Sequence, residues 1–241
     1  MYLGSDSNNP PSENSATRVA YNRLRRMIVT GDLAPGTRLK IESLREALGV
    51  GASPIREALS LLTSDQLVVR LDQRGFRTAD TSLENFEEIL ELRCTLEAKA
   101  LRQSMEKATE SYSEALIVAH HRMTRAEDQG REVFEQRHKE FHLALIGNCG
   151  SPLLLRFCDQ LYDLNIRYRY IAGASSDYDG RNVSEEHQSI LQATLGGDIK
   201  GARTQLIDHY RSTGAFLSKR IANATGSRAA PKQVFPDDEQ V

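Results

Sequence analysis

Residues 53–59 read Ser53-Pro54-Ile55-Arg56-Glu57-Ala58-Leu59, and this stretch decides the fold of the chain. Ser53 is expected to cap the start of a helix with its hydroxyl, and Pro54 suits the first helical position, where no N–H is needed. Ile55 and Leu59 recur at helical spacing and are predicted to point inward. Arg56 then faces solvent, where it is free to meet a phosphate or a base edge.

The segments around this helix predict a compact unit with a short β-ribbon. The expected elements are a helix from about 17 to 30, a short helix over 41–48, the helix that begins at Ser53, and strands over 67–71 and 76–79. Asp72-Gln73-Arg74-Gly75 supplies the hairpin turn between the strands. Helix, helix–turn–helix and ribbon in this order are typical of a winged helix-turn-helix, which reads DNA with its third helix.

The charged residues of this unit favour contact with a polyanion. Residues 15–80 hold eleven Lys or Arg against seven Asp or Glu, whereas the rest of the chain holds twenty against twenty-six. Arg56 is predicted to contact a base, and Arg74 to sit at the tip of the wing, beside Gly75. The further candidate DNA contacts are Arg38, Lys40, Arg45, Ser53 and Arg77.

Composition places the chain among ordinary globular proteins. Of its 241 residues, 39% are hydrophobic and 27% are charged, and no apolar run has the length of a membrane span. The polar N-terminus differs from a signal peptide, and the three cysteines lack metal-type spacing, so we expect free thiols and a cytoplasmic location. The predicted organisation is a disordered tail over 1–14, a DNA-binding domain over 15–80, a helical domain over 81–224 and a disordered tail over 225–241.

Everything after Thr81 has helical periodicity. The predicted helices cover about 82–105, 110–127, 131–148, 152–172, 184–195 and 199–222. Six helices of this length can close into an antiparallel bundle with an interior site. The predicted fold class is therefore mainly α, with a winged helix-turn-helix followed by an all-helical bundle.

Four histidines fall on the inward faces of three of these helices. His138 and His142 are one turn apart on one helix, whereas His187 and His209 lie on two others. A single histidine on an apolar stripe is usually a core residue, but four together favour a metal site. Neutral imidazoles suit zinc, and nickel is the second choice.

Two other uses of such a cluster stay open at this point. One is an all-helical metalloenzyme, and the other is a sensor in which the ion itself is the signal. The sequence has no His-Glu-x-x-His or His-Asp motif, and Glu135, Glu140 and Glu186 are interpreted as solvated residues rather than as a general base. We therefore predict that the protein is not an enzyme.

The chain resembles a known family at both ends. The motifs of the N-terminal part are Gly31-Asp32-Leu33-Ala34-Pro35-Gly36-Thr37-Arg38-Leu39, Leu48-Gly49-Val50 and Pro54-Ile55-Arg56-Glu57-Ala58-Leu59. They are similar to the DNA-binding domain of GntR-family transcription regulators. The family's usual Ser-Arg after this valine is here Gly51-Ala52, which implies an operator other than the family's commonest half-site.

The C-terminal part resembles the FCD effector domain of the FadR-like branch of that family. The matching motifs are Glu91-Leu92-Arg93-Cys94-Thr95-Leu96-Glu97, Phe141-His142, Glu186-His187 and His209. The resemblance implies a metal held by histidines, with His138 at a position where relatives commonly carry an aspartate. It also implies a repressor that is released from DNA by a small acid.

A narrower group within the family, the glutarate-responsive repressors of a carbon-starvation-induced operon, is similar over His138 to Ser151 and around Arg167. That similarity implies a short dicarboxylate such as glutarate as the effector. Arg93 and Arg167, with Tyr168, are the predicted effector contacts, and Arg169 is a further candidate. For Arg93 the partner stays open between Glu97, one turn on, and a ligand carboxylate. A homodimer is expected, because two recognition helices must match two half-sites.

Overall fold

The computed structural model describes residues 13–72, 74–173 and 180–226, which form two compact units that divide between Thr81 and Ser82. The helices of the described residues are α1 (Glu13–Thr30), α2 (Ile41–Leu48), α3 (Ala52–Ser64), α4 (Leu83–Glu106), α5 (Glu110–Thr124), α6 (Arg131–Ile146), α7 (Pro152–Ile171), α8 (Val183–Leu195) and α9 (Ile199–Gly226). The strands are β1 (Arg38–Leu39), β2 (Val68–Leu71) and β3 (Gly75–Thr78). The mainly α fold class is confirmed.

The first unit is a three-helix core with a small antiparallel sheet. The strands have the order β1-β3-β2, with Val68 opposite Thr78 and Leu71 opposite Gly75. The sequence predicted the β2–β3 hairpin but not β1, whose two residues are too few to show an alternating pattern. Its Arg38 lies opposite Arg77, so β1 adds a third strand beside the wing.

The apolar stripes of α1 and α3 pack against each other and exclude water from the centre of this unit. Leu24, Ile55 and Leu59 are fully buried there. A side-chain hydrogen bond of 2.8 Å from Thr17 Oγ1 to Glu57 Oε2 joins the same two helices. The exposed face of α3, which includes Arg56, is thereby held in a fixed orientation within the unit.

The start of α3 differs from the prediction. Gly51, in extended conformation, precedes the first helical residue, Ala52, and no side chain caps this end. Ser53 lies inside the first turn with its Oγ 3.5 Å from Glu57 Oε1, so it is not the N-cap. The helix starts earlier because Gly49, with φ of 65°, closes α2 in the left-handed region and lets the chain turn within two residues.

The second unit consists of α4 to α9, as predicted, with a continuous apolar core. Phe86, Leu101, Leu116 and Phe141 are fully buried. Side-chain oxygens cap the starts of four helices, at Ser82, Thr109, Ser151 and Asn182. These caps explain why the predicted starts of the helices agree closely with the observed ones. None of the described helices combines the length and the apolar character needed to cross a membrane.

The predicted disordered tails fall mostly outside the described residues. Residues 1–12 and 227–241 belong to these tails. The described chain begins with α1 at Glu13 and ends with α9 at Gly226. The middle of the predicted hairpin turn, Gln73, also lies outside the described residues.

Candidate metal centre and nucleic-acid interface

The helical unit brings the four predicted histidines together. One ring nitrogen from each of His138, His142, His187 and His209 lies within 4.8 Å of the others, and all four residues are buried. The Nε2 atom of His138 is 3.1 Å from Nε2 of His187 and 3.1 Å from Nε2 of His142. The i, i+4 pair of α6 therefore meets single histidines from α8 and α9.

The outward ring nitrogens of three of these histidines are held by neighbouring side chains. Nδ1 of His138 lies 2.6 Å from the Tyr162 hydroxyl, and Nδ1 of His142 lies 2.9 Å from the Tyr210 hydroxyl. Nδ1 of His209 donates to Glu186 Oε2 at 2.8 Å. Second partners of this kind fix the orientation of an imidazole and leave Nε2 to face the centre of the cluster.

Burial keeps the cluster uncharged. It lowers the pKa of His138, His142 and His187 well below the usual value, and the neighbouring imidazoles lower it further. For His209, burial also lowers the pKa, although Glu186 acts in the opposite direction. Neutral imidazoles carry the free electron pair that a metal ligand needs.

The donor set fits a divalent metal ion in chemistry and in spacing. Zinc–nitrogen bonds of ~2.0 Å place the ligand atoms of a tetrahedral site about 3.3 Å apart. Two of the six separations between ligand atoms, both 3.1 Å, are close to that value, and all four atoms lie within 4.8 Å of one another. A neutral imidazole that carries its proton on Nδ1 has a free electron pair on Nε2. The Nε2 atoms of His138, His142 and His187 face one another, and a zinc ion between them would accept those electron pairs.

A cavity of about 720 Å³ opens beside the cluster. His138, His187 and His209 form part of its wall. The other charged residues that line it are Glu127, Asp128, Arg131, Glu135, Arg169 and Arg181. The size suits a small organic molecule. The three guanidinium groups offer contacts to an anion, although the three carboxyl groups of the same wall balance their charge.

Arg169 lines this cavity and touches a histidine of the cluster. Its Nη2 lies 3.1 Å from Glu135 Oε1, and its Nη1 lies 3.4 Å from His138 Nδ1. Glu135 was interpreted as a solvated residue, but it is buried, and burial raises the pKa of its carboxyl group against the effect of Arg169 and Arg131. Its Oε2 atom makes no hydrogen bond within the described residues. The sequence missed it because its burial depends on how α6 packs against α7, which no local pattern shows.

The three predicted effector contacts lie outside the wall of this cavity. Arg93 takes the first of its two alternatives, since its Nε donates to Glu97 Oε1 at 2.7 Å and its Nη1 to Asn165 Oδ1 at 2.9 Å. Arg167 is buried elsewhere in the unit. The Tyr168 hydroxyl reaches the start of α4. Two residues along a helix rotate a side chain by about 200°, so Arg169 faces the cavity while Arg167 faces away.

Arg93 supports the cluster indirectly through a chain of buried side chains. It forms an ion pair with Glu97, and Glu97 accepts a hydrogen bond from the Tyr210 hydroxyl. The oxygen of Tyr210 is in turn the neighbour of His142 Nδ1. Coulomb attraction from Glu97 raises the pKa of the Arg93 guanidinium, although burial alone would lower it. Arg93 and Glu97 of α4, through Tyr210 of α9, thus help to orient the ring of His142.

The first unit presents a cationic groove between α3 and the hairpin. This groove of about 340 Å³ is lined by Arg56, Ser60, Arg70, Leu71, Gly75 and Phe76. Arg56 and Arg70 are both exposed. Arg70 was not singled out from the sequence, because its position opposite α3 depends on the strand register that pairs it with Phe76. Gly75, with φ of 91°, adopts a conformation that favours glycine at the wing.

The other predicted DNA contacts differ in how freely they can reach a phosphate. Arg45 pairs with Glu42, and Arg77 pairs with Asp80, in exposed ion pairs that are weak. Arg38 donates to the carbonyl of Arg74 at 3.3 Å. Lys40 is exposed at the start of α2, and Ser53 is positioned beside Glu57 as described above.

Comparison with known families gives two matches that divide the chain in the same way. The model described as "Bacterial regulatory proteins, gntR family" matches residues 16–77, and the model of the FCD domain matches residues 88–212. The second match alone covers more than half of the chain.

Similar proteins carry names of transcription regulators and not of enzymes. The HTH-type regulator BphR of Paraburkholderia xenovorans is 34% identical over 206 residues, which are 83% of this chain and 84% of that protein. The HTH-type transcriptional repressor GlaR of Escherichia coli is 27% identical over 210 residues, which are 84% of this chain and 96% of that protein. The solved structure of E. coli McbR/YncC has a TM-score of 0.74 at 25% identity, over 86% of this chain and 98% of that one.

Proposed function

Since this chain belongs to the GntR family of bacterial regulatory proteins, in the branch with an FCD domain, we propose that it is a metabolite-responsive transcription regulator. A divalent metal in the helical unit holds a small carboxylate, and binding of that acid changes the affinity of the first unit for operator DNA. The observation that carries the proposal is the convergence of four buried, neutral imidazoles, three of which line a cavity that also holds three arginines.

His138, His142, His187 and His209 would hold the ion, and zinc suits an all-nitrogen set, with nickel as the second choice. The metal would supply Lewis acidity to one carboxylate of the effector, which would add to the four imidazoles because zinc can expand to five ligands. Tyr162, Tyr210 and Glu186 hold the imidazoles in the orientation that would direct them at the ion. Burial lowers the pKa of His142 and so disfavours the charged, doubly protonated ring, which leaves one ring nitrogen free to bind a metal at neutral pH.

The far end of the acid is assigned to Arg169 and Arg131. Both line the cavity, and Arg131 is oriented by its contact with the Tyr170 ring at 4.2 Å and by its hydrogen bond to the Arg169 carbonyl. Arg181 is a weaker candidate, because two of its nitrogens donate to the two oxygens of Glu186, whereas Arg169 contacts Glu135 through Nη2 at 3.1 Å. A planar guanidinium recognises a carboxylate with two parallel hydrogen bonds, which favours a dicarboxylate such as glutarate over a monocarboxylate.

The first unit is assigned to operator DNA. Arg56 lies on the exposed face of α3, the helix that enters the major groove in a winged helix-turn-helix. Arg70, Arg74 and Arg38 are placed around the hairpin as phosphate contacts, which position the protein without reading sequence. The protein acts as a homodimer in the cytoplasm. It represses transcription until the acid releases it from DNA, and the similarity to the transcriptional repressor GlaR supports repression rather than activation.

The test begins with the metal. Elemental analysis of the purified protein is expected to give about one zinc or nickel per chain, with most of it lost in His142→Ala and His187→Ala. The matched control is His121→Ala, because His121 is exposed and stands outside the cluster. Equal metal content in all four proteins contradicts the assignment of the ligands.

The second step identifies the effector and the DNA response together. A thermal-shift screen of small mono- and dicarboxylates, with and without chelator, is expected to give one large shift that the chelator abolishes. Fluorescence anisotropy on an operator selected from random DNA then measures release by that acid. If zinc alone releases the DNA fully and no acid adds to it, the protein is a metal sensor and the carboxylate part of the proposal is wrong.

A further inference from the structure

Tyr168 belongs to α7, and its side chain contacts the start of α4, the helix that follows the DNA-binding unit. The backbone N–H of Ser82 donates to its hydroxyl oxygen at 3.3 Å, and the hydroxyl donates to Asn85 Oδ1 at 2.8 Å. Its ring packs on Phe86 with centroids 5.1 Å apart. The side chain is buried, so these contacts form in a water-poor setting where hydrogen bonds are strong.

Ser82 is a junction in the chain. It is the first residue of the second unit, immediately after Thr81, and it is also the N-cap of α4, because its Oγ accepts from the Asn85 N–H at 3.1 Å. The Tyr168 hydroxyl therefore contacts both members of the cap: it accepts from the backbone N–H of Ser82 and donates to the side chain of Asn85. This capped turn fixes the backbone at the point where the second unit begins.

Another face of α7, about 100° around the helix from Tyr168, contacts the metal cluster. Tyr162 and Arg169, both on α7, contact Nδ1 of His138, and Arg169 also lines the cavity. Tyr168 and Arg169 are consecutive residues of one rigid helix. A ligand that shifts the α7 backbone at Arg169 also shifts Tyr168, and close packing passes such a shift on to the start of α4.

We propose that Tyr168 couples the metal and effector site to the DNA-binding unit, through its hydrogen bonds to Ser82 and Asn85. The inference rests on the proposed function and specifies its regulation. Tyr168 thereby changes from a predicted ligand contact to a positioning residue. A ligand shifts an equilibrium between two conformations only if its affinity for them differs. In this proposal the two conformations differ in the contacts between Tyr168 and the capped turn of α4.

The test separates binding from response. Tyr168→Phe keeps the ring on Phe86 but removes both hydrogen bonds. In the parent, saturating zinc with glutarate is expected to weaken operator binding about 5- to 150-fold, the usual range of allosteric coupling. In Tyr168→Phe this factor falls at least fivefold, while zinc content and the Kd of glutarate for the DNA-free protein change less than threefold.

The control is Tyr112→Phe, which also removes one buried hydroxyl, here donating to the Leu145 carbonyl at 2.7 Å, but has no contact with the start of α4. It is expected to keep the parent's coupling factor. Circular dichroism verifies that both variants are folded. If Tyr168→Phe also keeps the parent's coupling factor, the inference is wrong.

Hydrogen exchange on the parent provides an independent measurement. Adding zinc to the chelated protein is expected to slow exchange of the Ser82 amide by at least threefold. Zinc that binds without changing this exchange overturns the coupling and leaves the proposed function standing. If elemental analysis finds no zinc binding at all, the proposed function fails first, and the coupling fails with it.

Discussion

At the scale of single residues, desolvation governs the histidine cluster. His138, His142 and His187 are nearly inaccessible to solvent, and burial is the largest cause of their lowered pKa values. A histidine in the unfolded chain titrates near 6.5. Below that pH the unfolded chain therefore binds more protons than the folded one, and stability falls as pH falls.

We accordingly expect the chelated protein to be less stable at pH 5.5 than at pH 7.5, with the loss setting in as pH falls through about 6.5. Each histidine that stays neutral contributes up to about 1.4 kcal/mol of loss per pH unit below that point. Urea unfolding monitored by circular dichroism measures the difference. Replacing His142 and His187 together with glutamine is expected to reduce it, and a loss of equal size in that variant contradicts the explanation.

The hydrogen-bonded partners of the ligands make a separate prediction. Tyr210→Phe removes the oxygen beside His142 Nδ1 and leaves Glu97 without that donor. Loss of such an outer partner typically weakens metal affinity about 10- to 100-fold. Competition with a chromophoric chelator gives the affinity for zinc. An unchanged affinity would mean that His142 is oriented by packing alone.

The two arginines of the groove are expected to behave differently. Arg56→Ala should abolish the preference for operator over random DNA, because a base contact is lost. Arg70→Ala should weaken binding to both by a similar factor and lower the slope of log Kd against log salt by about one. Anisotropy titrations at several salt concentrations measure both quantities. A specificity loss in Arg70→Ala that equals that of Arg56→Ala contradicts the division of roles.

Single residues were predictable from the sequence where type and spacing sufficed. The four histidines were identified because imidazoles at i, i+4 and on two further helices are rare in a core. Arg169 was only a further candidate and Glu135 was misread, because their placement depends on how α6 and α7 are rotated against each other. That rotation follows from packing across the bundle and not from any local pattern.

At the scale of elements, the turn before α3 illustrates the limit of local rules. Ser53 followed by Pro54 has the composition of a cap and a first helical residue, yet the helix begins at Ala52. The left-handed Gly49 sets the direction of the chain before Ser53 is reached. Similarly, β1 exists because β3 offers it an edge, and its own two residues carry no signal.

This turn gives a matched pair of variants. Gly49→Ala places a side chain at φ of 65° and is expected to cost the first unit about 1 kcal/mol, from backbone strain, since a Cβ there meets no atom within 4 Å. Gly51→Ala has an ordinary backbone and a contact of 3.6 Å with Pro54 Cδ, so it should be nearly neutral. Denaturant midpoints compare them, and equal stabilities would exclude strain as the cause.

At the scale of the whole molecule, the two units make metal removal selective. The ligands all belong to the second unit, so chelation should lower the unfolding temperature of that unit and leave the first unit's transition unchanged. At a free zinc concentration 100 times Kd, the stabilisation is about 2.7 kcal/mol. Calorimetry with and without chelator resolves the transitions. Equal shifts in both would contradict the assignment of the metal to the helical unit.

The cluster takes its imidazoles from α6, α8 and α9, and His209 lies on the last of these helices. During translation, three of the four imidazoles are therefore synthesised before α9, and the cluster is complete only once that helix has left the ribosome. A product that ends before His209 would lack one of the four ligands of the proposed metal.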